Sequence, residues 1–227
     1  MASPRITPVV PVSGPGAPAA PMADATPPSL WDPVVRLTHW GIAVAVLLNA
    51  LVTEGGSLTH ISLGWLGMAF LVLRLIWGGL GPAEARFSAF PPNPLAALRH
   101  LGELLRGAPR EHPSHNPAGA MMAYALWASL ATVIATGLVL TGGATPMKVA
   151  REKAAVASGD WSALISPGES SEKGDNALRH TAEEIHEVAA NLMLVLAVLH
   201  VAGVALEGRA LRRNLVAPML LGKGRHR

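Results

Sequence analysis

Four uninterrupted apolar runs leave this chain very few ways to fold. They are Val34 to Val52, Ile61 to Leu80, Ala118 to Leu140 and Ile185 to Leu206. At about 1.5 Å of rise per residue, each is long enough to cross a hydrocarbon layer of about 30 Å. Lipid offers backbone groups no hydrogen bonds, so each run must satisfy its own as a helix or pair in a closed barrel. Barrel strands are shorter and alternate in polarity, which these runs do not. The predicted fold class is all-α, a transmembrane four-helix bundle. Composition agrees, with 50% hydrophobic and 15% charged residues and a mean hydropathy of +0.35. That apolar fraction excludes a disordered chain, and 23 Gly and 19 Pro without a three-residue period exclude collagen. There is no cysteine, which removes disulfides, iron–sulfur clusters, thiolate ligation and covalent haem attachment.

Outside the spans, residues 1–30 hold eight prolines and read as a flexible Pro/Ala-rich arm. Its prolines interrupt any apolar stretch that a signal peptide would need. The membrane domain is predicted over 31–223, followed by a basic tail at 224–227. With an even number of spans both termini share a side. That side, including Arg74, the 81–117 connection and the 207–227 tail, carries 13 Lys and Arg against 6 Asp and Glu, and the other carries 5 against 9. Positive charge is retained inside, so both termini are expected in the cytoplasm, and the 53–60 and 142–185 connections outside. Anionic inner-leaflet lipid accounts for the basic tail without nucleic acid. Leu95 to Gly107 has helical apolar spacing and reads as an interfacial helix. The long outer connection, with Trp161 as an interface anchor, reads either as a partner-docking segment or as a plain surface loop.

Ionisable groups are costly in a membrane span, which makes them functional candidates. Of nine histidines, His39, His60, His186 and His200 lie in or at the mouths of spans one, two and four. Span one runs outward and places His39 about one turn from the inner face, whereas His60 opens span two at the outer face. His186 opens span four, and His200 follows 14 residues later, about 21 Å deeper and close to four whole turns on, hence on the same face. His39 with His200, and His60 with His186, therefore make two pairs at two depths. Imidazoles from different helices are a natural axial ligand pair for an iron porphyrin. Any one of these histidines also reads as an interhelical hydrogen bond or an interfacial cap, but four at two depths, with no thiolate available, lead to the expectation of two non-covalent, bis-histidine b-type haems between the helices. Gly64, Gly67, Gly137, Gly142 and Gly203 leave room for a flat macrocycle, and close helix packing explains them equally well. Arg36 and Arg74 either pair with haem propionates or follow the positive-inside bias. His180, Glu183, Glu184 and Glu187 form an acidic mouth that either steers a basic partner or solvates a helix start.

Trp31-Asp32-Pro33 with Arg36, His39 and Trp40 resembles the opening of the bacterial cytochrome b561 and nickel–iron hydrogenase b-subunit family. The resemblance continues through His60 with Leu63-Gly64, Arg74 to Gly78, Arg86-Phe87-Ser88, and His115 to Gly119. It then runs through Thr136-Gly137, His186-Glu187 with Ala190-Asn191, His200 with Gly203, and Asn214 to Gly222. It implies a dihaem b-type cytochrome of the bacterial inner membrane with His39, His60, His186 and His200 as iron ligands. Its electrons would pass between a quinone/quinol pool and a partner redox protein. The alternative it carries is a haem-bearing anchor subunit for a hydrogenase, a dehydrogenase or a multihaem c-type cytochrome. Hydrogenase b-subunits often have a fifth span, and four are counted here. His100 and His180 match no ligand position. No nucleophile or acid–base pair is legible, so the expectation is an electron carrier, with quinone oxidoreductase activity as the one enzymatic alternative. Asp32 and Glu187 read as proton relays or as structural caps.

Overall fold

The computed structural model describes residues 32–107, 116–160, 172–212 and 214–222. The arm at 1–30, Trp161 and the tail at 224–227 lie outside the described residues. Within them the structure is all-helical: α1 (Pro33–Leu51), α2 (Leu58–Leu80), α3 (Pro94–Leu105), α4 (Pro117–Leu140), α5 (Pro146–Ala157), α6 (Glu172–Ala210) and α7 (Val216–Leu221). Two short 3₁₀ turns, Ala83–Ala85 and Phe87–Ala89, connect α2 to α3.

Local sequence chemistry sets most helix starts. Asp32, Asn93, Asn116 and Thr145 each stand before a proline and cap the helix that follows. The side-chain oxygen accepts from an otherwise unpaired amide of the first turn, while proline occupies a position that needs no donor. Ser57 caps α2 by accepting from the His60 amide at 3.1 Å. The end of α4 is set by Gly142 and Gly143, whose φ values of 57° and 70° lie in the left-handed region that other residues rarely adopt.

Helices α1, α2, α4 and α6 are long and apolar enough to span a membrane, and the chain is a multi-pass membrane protein. They run up, down, up and down, so we call the end holding Asp32 and Ala210 lower and the end holding Thr53 and Ser57 upper. α1 packs chiefly on α2 and α4 on α6, and α2 and α4 join the two halves. Leu71, Leu130 and Met193 form the buried centre, with Ile42, Val46, Trp127 and Ile134 packed around it. Large apolar side chains cover the outside, Leu51 at 75% and Val198 at 70% exposed, as a lipid-facing surface requires.

Two elements differ from the sequence expectation. α6 begins at Glu172 rather than near Ile185 and has 39 residues, about 58 Å at 1.5 Å per residue. Hydropathy marks where a helix enters lipid, and this one starts as a polar helix well above that level. The outer connection also contains α5, opened by Thr145-Pro146. At the lower end α6 stops where Arg212 adopts φ 53°, Asn214 accepts from the Val216 and Ala217 amides, and α7 folds back toward α1.

Candidate functional site

The four intramembrane histidines meet as two pairs. His39 of α1 faces His200 of α6 with ring centroids 6.1 Å apart and planes inclined at 55°. His60, in the first turn of α2, faces His186 of α6 at 6.3 Å, again at 55°. A single helix contributes to both pairs because His186 and His200 sit on one face of α6.

Whether these residues suit an iron porphyrin can be tested on the separation. Two imidazoles bound to one metal from opposite sides at about 2 Å each, with about 1.1 Å from nitrogen to ring centroid, place their centroids about 6.2 Å apart. Both pairs meet that distance. Among the described residues no group of three or more His, Cys, Asp and Glu is placed to hold a metal ion. Each pair brings together two imidazoles from different helices. A cleft adjoins the upper pair, lined by His60, His186, Gly64, Gly137 and largely apolar side chains. A Cβ at Gly64 or at Gly203, three residues past His200, would meet nothing within 4 Å, so both positions border open space.

The upper pair is held by hydrogen bonds. Thr136 Oγ1 lies 2.9 Å from His186 Nδ1, and Thr53 Oγ1 lies 3.3 Å from His60 Nδ1. Asn49 donates its side-chain amide to the His60 carbonyl at 3.1 Å. Thr136 stands in the Thr136-Gly137 motif, but nothing in the sequence links its hydroxyl to a histidine fifty residues away.

The lower pair is framed differently. Arg36 donates Nε to the Met219 carbonyl at 3.0 Å and Nη2 to that of Leu220. Trp40 Nε1 donates to the Met219 carbonyl at 3.3 Å, so the residues flanking His39 tie α7 to α1. Arg74 is only 4% exposed; its guanidinium carbon stands 5.0 Å from the Trp127 ring centroid and also faces the rings of Phe87 and Phe90. Its Nη2 donates to the Ala85 carbonyl at 3.2 Å, and the surrounding ring faces offer cation–π contact. Asp32 caps α1 and accepts from Trp77 Nε1 at 2.9 Å. Glu183, Glu184 and Glu187 are exposed on α6, where Glu184 lies 3.6 Å from His180.

One buried ionisable contact was not expected. His100 of α3, 3% exposed, approaches the Glu207 carboxylate of α6 at 3.7 Å, and that carboxylate also accepts from Asn116 Nδ2. The contact joins α3, the start of α4 and the end of α6, three elements that share no sequence pattern.

Comparison with known proteins finds no match among curated proteins and none among solved structures. The family model of prokaryotic cytochrome b561 matches residues 30–222, a range that holds all seven helices and both histidine pairs. The chain belongs to the prokaryotic cytochrome b561 family.

Proposed function

We propose that this protein is the haem-bearing membrane subunit through which a partner redox protein exchanges electrons with the membrane. His39 and His200 hold one b-type haem, and His60 and His186 hold a second. Family membership makes the chain a haem-binding electron carrier of the membrane. The observation that carries the finer reading is the recurrence of one geometry, 6.1 and 6.3 Å at 55°, at two depths of the bundle.

A b-type haem supplies a one-electron couple whose potential depends on its axial ligands, nearby charge and burial. The chain contributes paired imidazoles, an apolar surround that excludes water, and one stiff helix, α6, that sets the spacing of the two sites. His186 and His200 are separated by about 21 Å along it. The charge balance between the two faces supports a cytoplasmic lower end and an inner-membrane location in a bacterium. On the upper side, the polar start of α6 with Glu183, Glu184 and Glu187 supports docking of a hydrogenase, a dehydrogenase or a c-type cytochrome. On the lower side, the membrane partner in this reading is a quinone/quinol pool. The buried His100–Glu207 contact, seven residues along α6 from His200, supports it by offering groups able to exchange protons.

The test is haem quantification and reduced-minus-oxidised spectra of the purified protein. Two non-covalent haems per chain are expected, one lost in His39→Ala and His200→Ala and the other in His60→Ala and His186→Ala. A haem-free protein, or loss of both haems from every variant, overturns the assignment. Copurification of a soluble redox protein from the native membrane tests the subunit reading separately.

A further inference from the structure

We propose that Thr136 and Thr53 are positioning residues for the upper haem, each accepting the Nδ1 proton of its histidine so that Nε2 of His186 and of His60 is turned toward the iron. This rests on the reading of His60 and His186 as axial ligands and adds what selects their tautomer and ring angle. A hydroxyl has one proton to donate and two lone pairs to accept with. Thr136 Oγ1 lies 2.8 Å from the Thr132 carbonyl and 3.1 Å from that of Val133. A carbonyl cannot donate, so the hydroxyl proton is directed to the helix backbone. What Thr136 presents to His186 Nδ1 at 2.9 Å is a lone pair, and the hydrogen between them belongs to the imidazole.

The same count holds at Thr53. Its Oγ1 stands 3.1 Å from both the backbone carbonyl and the side-chain oxygen of Asn49. Asn49 Nδ2 donates to the His60 carbonyl, which fixes the amide with Oδ1 toward Thr53. The Thr53 proton is therefore taken by Asn49, and His60 Nδ1 at 3.3 Å must be the donor. With Nδ1 protonated in both rings, Nε2 carries the free lone pair in both. An acceptor behind the ring also raises the basicity of the ligand and holds its plane. Among the described residues, no side chain hydrogen-bonds to the ring of His39 or His200, so the device belongs to the upper pair alone.

The experiment uses the full-length holoprotein with Thr136→Val and Thr53→Val, and Thr136→Ser and Thr53→Ser as hydroxyl-restoring controls. The readouts are the low-spin EPR signal, which follows the angle between axial ligand planes, and the midpoint potential of each haem, with haem content measured alongside. The two haems are told apart by the signal missing in His186→Ala and in His200→Ala. The valine variants are expected to shift the EPR signal of the upper haem and raise its potential, because a weaker ligand donor favours the reduced iron. The lower haem stays unchanged and serine restores the native values. Haem loss in a valine variant that serine reverses also supports the proposal. An unchanged upper haem, a shift in the lower haem instead, or a defect that serine shares overturns it. If His186→Ala and His60→Ala leave the wild-type haem complement intact, the ligand assignment itself fails and this role fails with it. Intact ligation with no valine effect sinks the threonine role alone.

Discussion

The two histidine pairs share separation and angle but are held by opposite means. At the upper pair each ring is gripped directly by a hydroxyl, Thr136 on α4 and Thr53 at the end of α1, with Asn49 behind it. At the lower pair the rings have no such partner among the described residues, and the surroundings are braced: Arg36 and Trp40, on either side of His39, bind the carbonyls of α7 about 180 residues away in sequence. The upper arrangement combines a local contact, Thr53 to His60 across the α1–α2 turn, with one between neighbouring helices, Thr136 of α4 to His186 of α6. The lower one is complete only when the last described segment has folded back on the first. Equal geometry therefore conceals unequal sensitivity to change.

The largest effects test whether the pairs are independent. His39→Ala should remove about half of the b-type absorbance while leaving the upper haem spectrum unaltered, and His60→Ala should do the reverse. Spectral titration of the purified variants checks this, and a shifted spectrum of the haem that remains means that α6 couples the sites.

Next in size is the closure by α7. Ending the chain after Arg213 removes the carbonyls that accept from Arg36, and replacing Arg36 by Gln removes the charged donor, whose hydrogen bonds contribute about 1.5–3 kcal/mol each. The lower haem should then be lost at a lower temperature than in the wild type while the upper haem melts as before, followed by Soret absorbance on heating. Simultaneous loss of both haems would break the contrast between a braced and a directly bonded pair.

A smaller effect distinguishes the packing around the two sites. A Cβ at Gly41, two residues past His39, would come within 2.4 Å of the Phe70 ring, whereas one at Gly137 would meet His186 Cε1 at 3.5 Å, an ordinary contact. Gly41→Ala should cost about 1–3 kcal/mol through overpacking, and Gly137→Ala should leave the helix packing itself unstrained. Detergent-resistance assays of the two variants side by side provide the measurement. Smallest of all, Trp40→Phe keeps an aromatic ring but removes the indole N–H bond to Met219 and part of the side chain's packing; the hydrogen bond accounts for about 0.5–1.5 kcal/mol of the expected loss, again confined to the lower signal.

Much of this molecule can be read from residue order. The four spanning helices are legible because lipid demands about twenty apolar residues with internally satisfied backbones, and their starts at Asp32, Ser57 and Asn116 follow from capping chemistry. The shared face of His186 and His200 follows from helical periodicity, and the two depths from the alternating direction of the spans. The polar start of α6 was not legible, since hydropathy is silent about a helix that continues outside lipid. α5 had a capping signal at Thr145-Pro146 but too little apolar character to stand out from a loop.

Arg36 and Arg74 show where sequence reading ends. Both are basic residues near the lower face, and position alone treats them alike. In the structure Arg36 binds the carbonyls of α7, whereas Arg74 is buried beneath Trp127, Phe87 and Phe90. Helix number, direction and the depth of each histidine are one-dimensional quantities, set by how far each residue lies along a run of known rise. Which side chains touch depends on how each helix is rotated and how closely it approaches its neighbours. Those are decided by the packing of Leu71, Leu130 and Met193 at the centre, and only that packing brings Thr136 to His186, Arg36 to Met219 and His100 to Glu207.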